Sequence, residues 1–185
     1  MLRATDLAHL ILKDRLVAGA VAVDATVGNG HDTQLLAQLV GDSGQVFGFD
    51  IQARAIEATT KRVRGLAQVM LFHAGHERLA ELLPASVQHN LSAVTFNLGY
   101  LPGASKDVVT RTQTTIAALE QALAHLVVGG VVTMVVYPGH AEGAIEAEAL
   151  RSFARKLSSQ FAASWFARSN GAAAAPELVV IERLV

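Results

Sequence analysis

The 185-residue sequence predicts an α/β fold: a doubly wound, seven-stranded, mostly parallel sheet with one antiparallel edge strand, in a single domain over residues 1–185. Three observations predict it. Short apolar runs end abruptly at a polar residue; segments with helical spacing separate the first five of them; and a connection too short for a helix joins the last two.

In chain order, an opening helix over Thr5–Leu16 precedes the first strand, Val21 to Val23, which ends at Asp24. A helix over Thr33–Val40 leads to Gln45–Phe49, ending at Asp50, and a helix over Ala53–Arg64 leads to Val69–Phe72, ending at His73. Glu77–Leu83 is the next helical pattern, followed by Ala93–Phe96, ending at Asn97. In the segment Val108–Leu126, the residues Val109, Thr112, Ile116, Leu119, Leu123 and Leu126 recur at spacings of three and four, one face of a helix. The strand Val131–Val136 ends at Tyr137, and a helix over Gly143–Leu157 follows. From Phe161 to Arg168 the pattern alternates, and Glu177–Arg183 is a further apolar run, joined to it by Ser169–Pro176. Near-continuous apolar strands suit a parallel sheet covered on both faces. In such a sheet a ligand sits beyond the carboxyl ends of the strands, where Asp24, Asp50, His73, Asn97 and Tyr137 all fall.

Composition narrows the chemistry. There is no cysteine, which excludes a disulfide scaffold, a thiol nucleophile and thiolate zinc sites. The seven histidines show no metal-ligand spacing, and no metal is expected. Lys and Arg number 15 against 16 Asp and Glu, so a strongly basic nucleic-acid binder is excluded but a local basic patch is not. Met1–Glu148 carries 10 basic and 14 acidic residues, whereas Arg151, Arg155, Lys156 and Arg168 follow with no acid before Pro176. That tail fits either a phosphate track or an ordinary solvated face. Of the residues, 51% are apolar but 32 are alanine, and no apolar run nears the roughly 20 residues of a membrane span. The charged N-terminal stretch is unlike a signal peptide, so a cytoplasmic protein is expected.

The segment from Asp24 to Thr33, DATVGNGHDT, follows the first strand and opens a helix. Gly28 and Gly30 permit a tight turn and close approach of a ligand to free N–H groups at the helix N-terminus. The dinucleotide fingerprint requires a third glycine where this chain has Thr33, which argues against NAD. Asp50, 20 residues after Gly30, ends the second strand where a carboxylate can accept both hydroxyl hydrogens of a ribose.

The order D-x-x-x-G-x-G, an acidic strand end, then Asn97 after the fourth strand resembles class I S-adenosylmethionine-dependent methyltransferases, whose Rossmann-like fold also closes with a reversed hairpin. More narrowly, DATVGNGHDT, FGFDIQ, Gly75-His76, FNLGYLPG and the Tyr-x-Gly-His of Tyr137 to His140 resemble a family of small bacterial proteins labelled "putative rRNA methylases". Members are assigned as tRNA 5-aminomethyl-2-thiouridine methyltransferases, the YtqB/MnmM type. The likeness runs from Thr5 to Glu182 and implies S-adenosyl-L-methionine as cofactor. By position it places cofactor contacts on Val27, Asn29, Asp50, Gln52, Gly75 and His76, beside Gly28 and Gly30 of the turn. The alanine-rich loop between Asn170 and Pro176 departs from the family pattern.

For the acceptor side, Asn97-Leu98-Gly99-Tyr100 occupies the place of the Asn/Asp-Pro-Pro-Tyr turn of amino-group methyltransferases, with both prolines replaced. The change fits a target other than a planar exocyclic amine; the aliphatic aminomethyl group that the resemblance implies would fit, and it must lose a proton before attack. Asp32, Tyr137 and His140 are the candidates for that proton, alongside Asn97; Asp32 equally fits a helix-dipole role, and Tyr137 and His140 an ordinary polar loop. Tyr100 and Arg168 are the candidate substrate contacts. The leading expectation is an RNA methyltransferase with tRNA as partner, no membrane and no metal, a homodimer being left open. An rRNA or small-molecule amine methyltransferase of the same fold, and a non-catalytic nucleotide-binding module, are the alternatives.

Overall fold

A computed structural model describes residues 2–99, 110–168 and 175–185. In chain order the elements are α1 (Ala4–Arg15), β1 (Val21–Asp24), α2 (His31–Val40), β2 (Gln45–Asp50), α3 (Ala53–Arg62), β3 (Val69–His73), α4 (Leu79–Leu82), β4 (Leu91–Asn97), α5 (Thr112–His125), β5 (Leu126–Val136), α6 (Ala141–Ala154), β6 (Phe161–Phe166) and β7 (Glu177–Arg183). Short 3₁₀ turns, His76–Arg78 and Ala85–Val87, flank α4.

The strand order is β3-β2-β1-β4-β5-β7-β6. β1 pairs in parallel with β2 on one side and β4 on the other, so the order reverses between β1 and β4 and a crevice opens at their carboxyl ends. The reversed strand, expected at the edge, lies one place in. β7 runs antiparallel between β5 and β6, which leaves β6 at the edge, parallel to the first five. Burial explains the order. Leu178, Val179 and Ile181 make both faces of β7 apolar and buried, whereas Ala162, Ala163 and Ser164 leave β6 exposed.

Alternation along each strand divides the core. Val23, Phe47, Phe49, Val94, Phe96, Val132 and Met134 face α4, α5 and α6. Ala22, Val46, Ala93 and Val131 face α1 and α2 with Leu12, Leu36 and Val40. Phe47, Phe49 and Phe96 are among the largest fully buried side chains, each worth about 1.5–3 kcal/mol of transfer free energy. By the same two-residue period Asp24, Asp50 and Asn97 project on the α1/α2 face. β5 leaves the β4 ladder over residues 127–130, where Gly129 adopts φ +79°, and rejoins it at Val131 opposite Ala93. The apolar strand expected from residue 131 onward is thus the paired part of a longer one.

Candidate functional site

The glycine turn is built on backbone conformations that favour glycine. Gly28 has φ +50° and Gly30 φ +79°, and Gly30 serves as the residue before α2. Val27 is buried, its N–H donating to Phe49 O at 3.0 Å, and Gly30 N–H closes the turn on Val27 O at 2.7 Å. Thr59 of α3 packs on the loop, donating to Gly28 O at 3.2 Å, and Arg62 Nε donates to Asn29 O at 2.6 Å. A Cβ on Gly30 would stand 2.8–3.0 Å from the Oγ1, Cγ2 and Cα atoms of Thr59. Gly30→Ala therefore combines a left-handed backbone with a clash on α3, at a cost of about 2–4 kcal/mol. Thermal unfolding should show Tm lower by roughly 5–15 °C.

Asp50 ties the turn to β2. Its Oδ2 accepts from Gly28 N–H at 3.0 Å and its Oδ1 from Gln52 N–H at 2.9 Å, Gln52 being the residue before α3. Each oxygen keeps further lone-pair capacity for a ligand.

Asp24 is 1% exposed. Thr33 Oγ1 donates to its Oδ2 at 2.6 Å and Thr26 N–H to its Oδ1 at 3.2 Å. Position 33, where the dinucleotide pattern needs glycine, here holds the hydroxyl that satisfies this carboxylate. Burial, and next the negative charge of Asp32, push the Asp24 pKa up to about 7. The folded state thus binds a proton that the unfolded chain releases near pH 3.8. Asp24's contribution to stability is full below about pH 4 and is lost as pH rises through 7. Burial lowers the His76 pKa, which has the opposite sign: its contribution is full above about pH 6.5 and falls in acid. Denaturant unfolding of wild type and Asp24→Asn across pH 4–8 separates the two. The variant should gain stability relative to wild type as pH rises, by up to about 4 kcal/mol for a shift of this size.

Asp32 lies in the first turn of α2, its side chain 12% exposed. Its Oδ2 accepts from Asn97 Nδ2 in a short hydrogen bond, and its Oδ1 lies 2.6 Å from His9 Nε2 of α1. Thr26 Oγ1 accepts from Asn97 N–H at 2.7 Å, fixing the end of β4. Asn97 Oδ1 is buried and has no hydrogen-bond partner among the described residues.

His76 is likewise buried, 8% exposed, with its ring edge toward Phe96 at 5.7 Å between centroids. Its Nδ1 lies 3.1 Å from Ala25 O, a carbonyl that can only accept, so Nδ1 carries the proton. Nε2 is then a bare buried acceptor with no partner among the described residues. Gly75 precedes it at the start of the 3₁₀ turn, where a Cβ would fall 2.2–2.5 Å from the Glu77 carboxylate.

The structure brings together Val27, Gly28, Asn29, Gly30, Asp50 and Gln52 as one hydrogen-bonded turn, and joins Asp32 to Asn97. Tyr137 packs with Ala8, Val135 and Leu178, its ring near Gly99. His140 precedes α6, its Nδ1 accepting from Gly143 N–H at 3.1 Å as a helix cap. His73 leans on Ile51 O. Arg168 is exposed just past β6, at the crevice end of the sheet. Tyr100 lies outside the described residues, as does most of the alanine-rich loop.

The basic tail is not the continuous free stripe that its sequence suggests. Arg151 pairs with Glu177 at 2.6 Å and stacks over Trp165 at 4.5 Å, and Arg155 lies 3.8 Å from Glu148. Arg155 and Lys156 also precede the start of β6, at the sheet end opposite the crevice, whereas Arg168 follows β6 at the crevice end of that edge strand.

Sequence reasoning missed His9 and Glu146. Glu146, 3% exposed, accepts from Thr115 at 2.6 Å and from Thr110 at 3.0 Å; Thr110 Oγ1 in turn accepts from Gly99 N–H at 3.0 Å. It anchors the backbone just beyond Asn97, and burial raises its pKa. A carboxylate on the face of α6 shared by Gly143, Ala147 and Leu150 was the signal. Among the described residues no group of three or more His, Asp or Glu is placed to hold a metal, and no helix is long and apolar enough to cross a membrane.

Comparison with known proteins agrees with this geometry. The profile of the family described as "Putative rRNA methylase" matches residues 46–182. A chloroplastic "tRNA (mnm(5)s(2)U34)-methyltransferase" of Arabidopsis thaliana is 36% identical over 166 residues, 84% of this chain; the chain spans 60% of that relative's length. The crystal structure of a "putative rRNA-methylase" from Clostridium thermocellum superposes with a TM-score of 0.94 at 38% identity, covering 100% of this chain and 99% of the other. A "putative methyltransferase" from Streptococcus mutans, solved in complex with SAH, gives a TM-score of 0.88 at 32% identity with the same coverage. The chain belongs to the "Putative rRNA methylase" family of S-adenosylmethionine-dependent methyltransferases.

Proposed function

We propose that this chain is an RNA methyltransferase acting on tRNA, transferring a methyl group to the 5-aminomethyl group of a wobble uridine. The observation that carries this reading is Asn97. Its amide is held by Asp32 at the crevice, with Oδ1 buried and without a partner among the described residues, an acceptor placed for an N–H group. The Arabidopsis relative, a tRNA (mnm(5)s(2)U34)-methyltransferase, supports the substrate class.

The residues present fit S-adenosylmethionine. The buried bare acceptor at His76 Nε2 and the spare lone pairs of Asp50 suit a nucleoside, and the left-handed turn at Gly28 and Gly30 leaves backbone open to the amino-acid end. The carboxylates of Asp32 and Asp50 both bear on Asp24, a setting that favours cations. When bound, the cofactor supplies an electrophilic methyl group on a sulfonium. We place Asp50 on the ribose hydroxyls, Gln52 beside it, His76 and Gly75 at the base, and Val27 and Asn29 along the amino-acid portion.

On the acceptor side Asn97 Oδ1 receives an N–H of the amine and orients its lone pair. Of the three candidates for the proton, Asp32 is hydrogen-bonded to Asn97, and we assign the proton to it. His140 is engaged as a helix cap through Nδ1, which places it in a supporting role. Tyr100, Tyr137 and Arg168 are left to hold the nucleotide and its phosphates.

The test is to incubate the protein with methyl-labelled S-adenosylmethionine and total RNA from a strain lacking the activity, then fractionate. Label should enter tRNA carrying the aminomethyl precursor. Label confined to rRNA or to low-mass compounds would replace tRNA by that class, and label in no fraction would overturn the reading.

A further inference from the structure

His9 lies in the middle of α1, the helix that packs against β4, β5 and β7, with its side chain about one third exposed. Nothing in the cofactor turn requires it. Its Nε2 is 2.6 Å from Asp32 Oδ1. A carboxylate oxygen offers only lone pairs, so Nε2 carries the proton and donates, whether the ring is neutral or charged. The second oxygen, Oδ2, accepts from Asn97 Nδ2. The chain of hydrogen bonds therefore has one direction, from imidazole to carboxylate and from amide nitrogen to the same carboxylate.

That direction fixes the amide. Turned end for end, Asn97 would set its carbonyl oxygen against the Asp32 carboxylate, two acceptors at hydrogen-bond distance with no proton between them. The amide nitrogen must face Asp32, and Oδ1 must face the other way, where it is buried without a partner among the described residues. Asp32 holds Asn97 in this way only while its own side chain is held. A carboxylate in the first turn of a helix is otherwise free to swing onto the N–H groups at the helix end.

We infer that His9 is a positioning residue which, through Asp32, sets the polarity of Asn97, so that the site accepts a nitrogen still bearing hydrogen and rejects a carbonyl or bare ring nitrogen. This rests on the proposed reading of Asn97 as the contact of the acceptor amine. His9 itself touches neither substrate nor cofactor. The substrate selectivity therefore originates in α1, three hydrogen bonds from the acceptor amine through Asp32 and Asn97.

The test compares wild type, His9→Ala and His9→Gln in single-turnover methyl transfer to tRNA bearing the aminomethyl precursor, with cofactor affinity measured by calorimetry. His9→Ala should slow transfer about tenfold with the cofactor Kd within about twofold of wild type. His9→Gln, whose side-chain amide can donate to Asp32, should recover most of the rate. A His9→Ala rate equal to wild type, or equal losses in both variants tracking a common fall in Tm, would overturn the inference. Side-chain amide NMR of Asn97 gives a readout independent of substrate. Its resonances should shift in His9→Ala and return in His9→Gln, whereas unchanged resonances in His9→Ala would overturn the inference. Should wild type methylate no RNA, the substrate reading fails and the NMR comparison alone decides the role of His9.

Discussion

Asp50→Ala should weaken binding of S-adenosylmethionine, or of its demethylated product, by about 100-fold or more. Two effects act together. The ligand loses its carboxylate acceptor, and the N–H groups of Gly28 and Gln52, now 3.0 and 2.9 Å from the Asp50 oxygens, lose theirs. Hydrogen bonds to a charged group are worth about 1.5–3 kcal/mol each, and 100-fold in Kd corresponds to about 2.7 kcal/mol. Losing the Gly28 bond also releases a turn held in the left-handed region, so the variant must reorder that turn each time it binds. Asp50→Asn keeps one acceptor oxygen and should fall between the two. Calorimetric titration measures all three proteins; an alanine variant that binds within threefold of wild type would remove Asp50 from the cofactor site.

Asn97→Ala should lower kcat by about 10²–10³ while leaving cofactor affinity nearly unchanged. Removing a single well-placed polar group at a reacting centre has effects of that size. The substitution leaves the acceptor amine without its oriented partner and Asp32 Oδ2 without the amide donor. The backbone bond from Asn97 N–H to Thr26 Oγ1 survives, so the end of β4 stays in place. Single-turnover rates measured beside calorimetric Kd values separate the two effects. A parallel loss of cofactor binding would mean that Asn97 serves the cofactor rather than the acceptor.

Much of the fold could be read from residues because tertiary burial and local pattern agree. The strands ending at Asp24, Asp50, His73 and Asn97 have these bounds because each apolar run stops at a polar residue at its carboxyl end. The place of β7 was harder. Phe161 to Phe166 and Glu177 to Arg183 both read as strands, and which of them lies beside β5 depends on burial of both faces, a long-range property. The segment 127–130 was also obscure, since Gly129 and Gly130 interrupt a pattern that the strand resumes.

The glycine turn and the strand-end carboxylate that holds it were legible from spacing, because a turn, a helix start and a strand end occur at fixed intervals in this fold. Thr33 was visible only as a missing glycine; its role needs the buried Asp24 oxygen 2.6 Å away. The acceptor side was less legible. Asp32, Tyr137 and His140 are equivalent as residue types, and they separate only when their hydrogen-bond partners are known: Asn97 for Asp32, and the end of α6 for His140. His9 carried no signal, being one polar residue in a helix whose partner is 23 positions away. The basic tail misled because Glu177, which neutralises Arg151, lies 26 residues further along the chain.

Methyl transfer to one amine of one tRNA nucleoside is read out by nucleoside mass spectrometry. Purified tRNA from a strain lacking the activity is treated with this protein and S-adenosylmethionine, digested to nucleosides and compared with an untreated control. The 5-aminomethyl uridine species should disappear, with matching growth of a species heavier by one CH2 unit, other nucleosides unchanged and conversion by Asn97→Ala slowed by about 10²–10³. An unchanged 5-aminomethyl pool beside full cofactor binding, or a methyl group on any other nucleoside, would contradict that transfer.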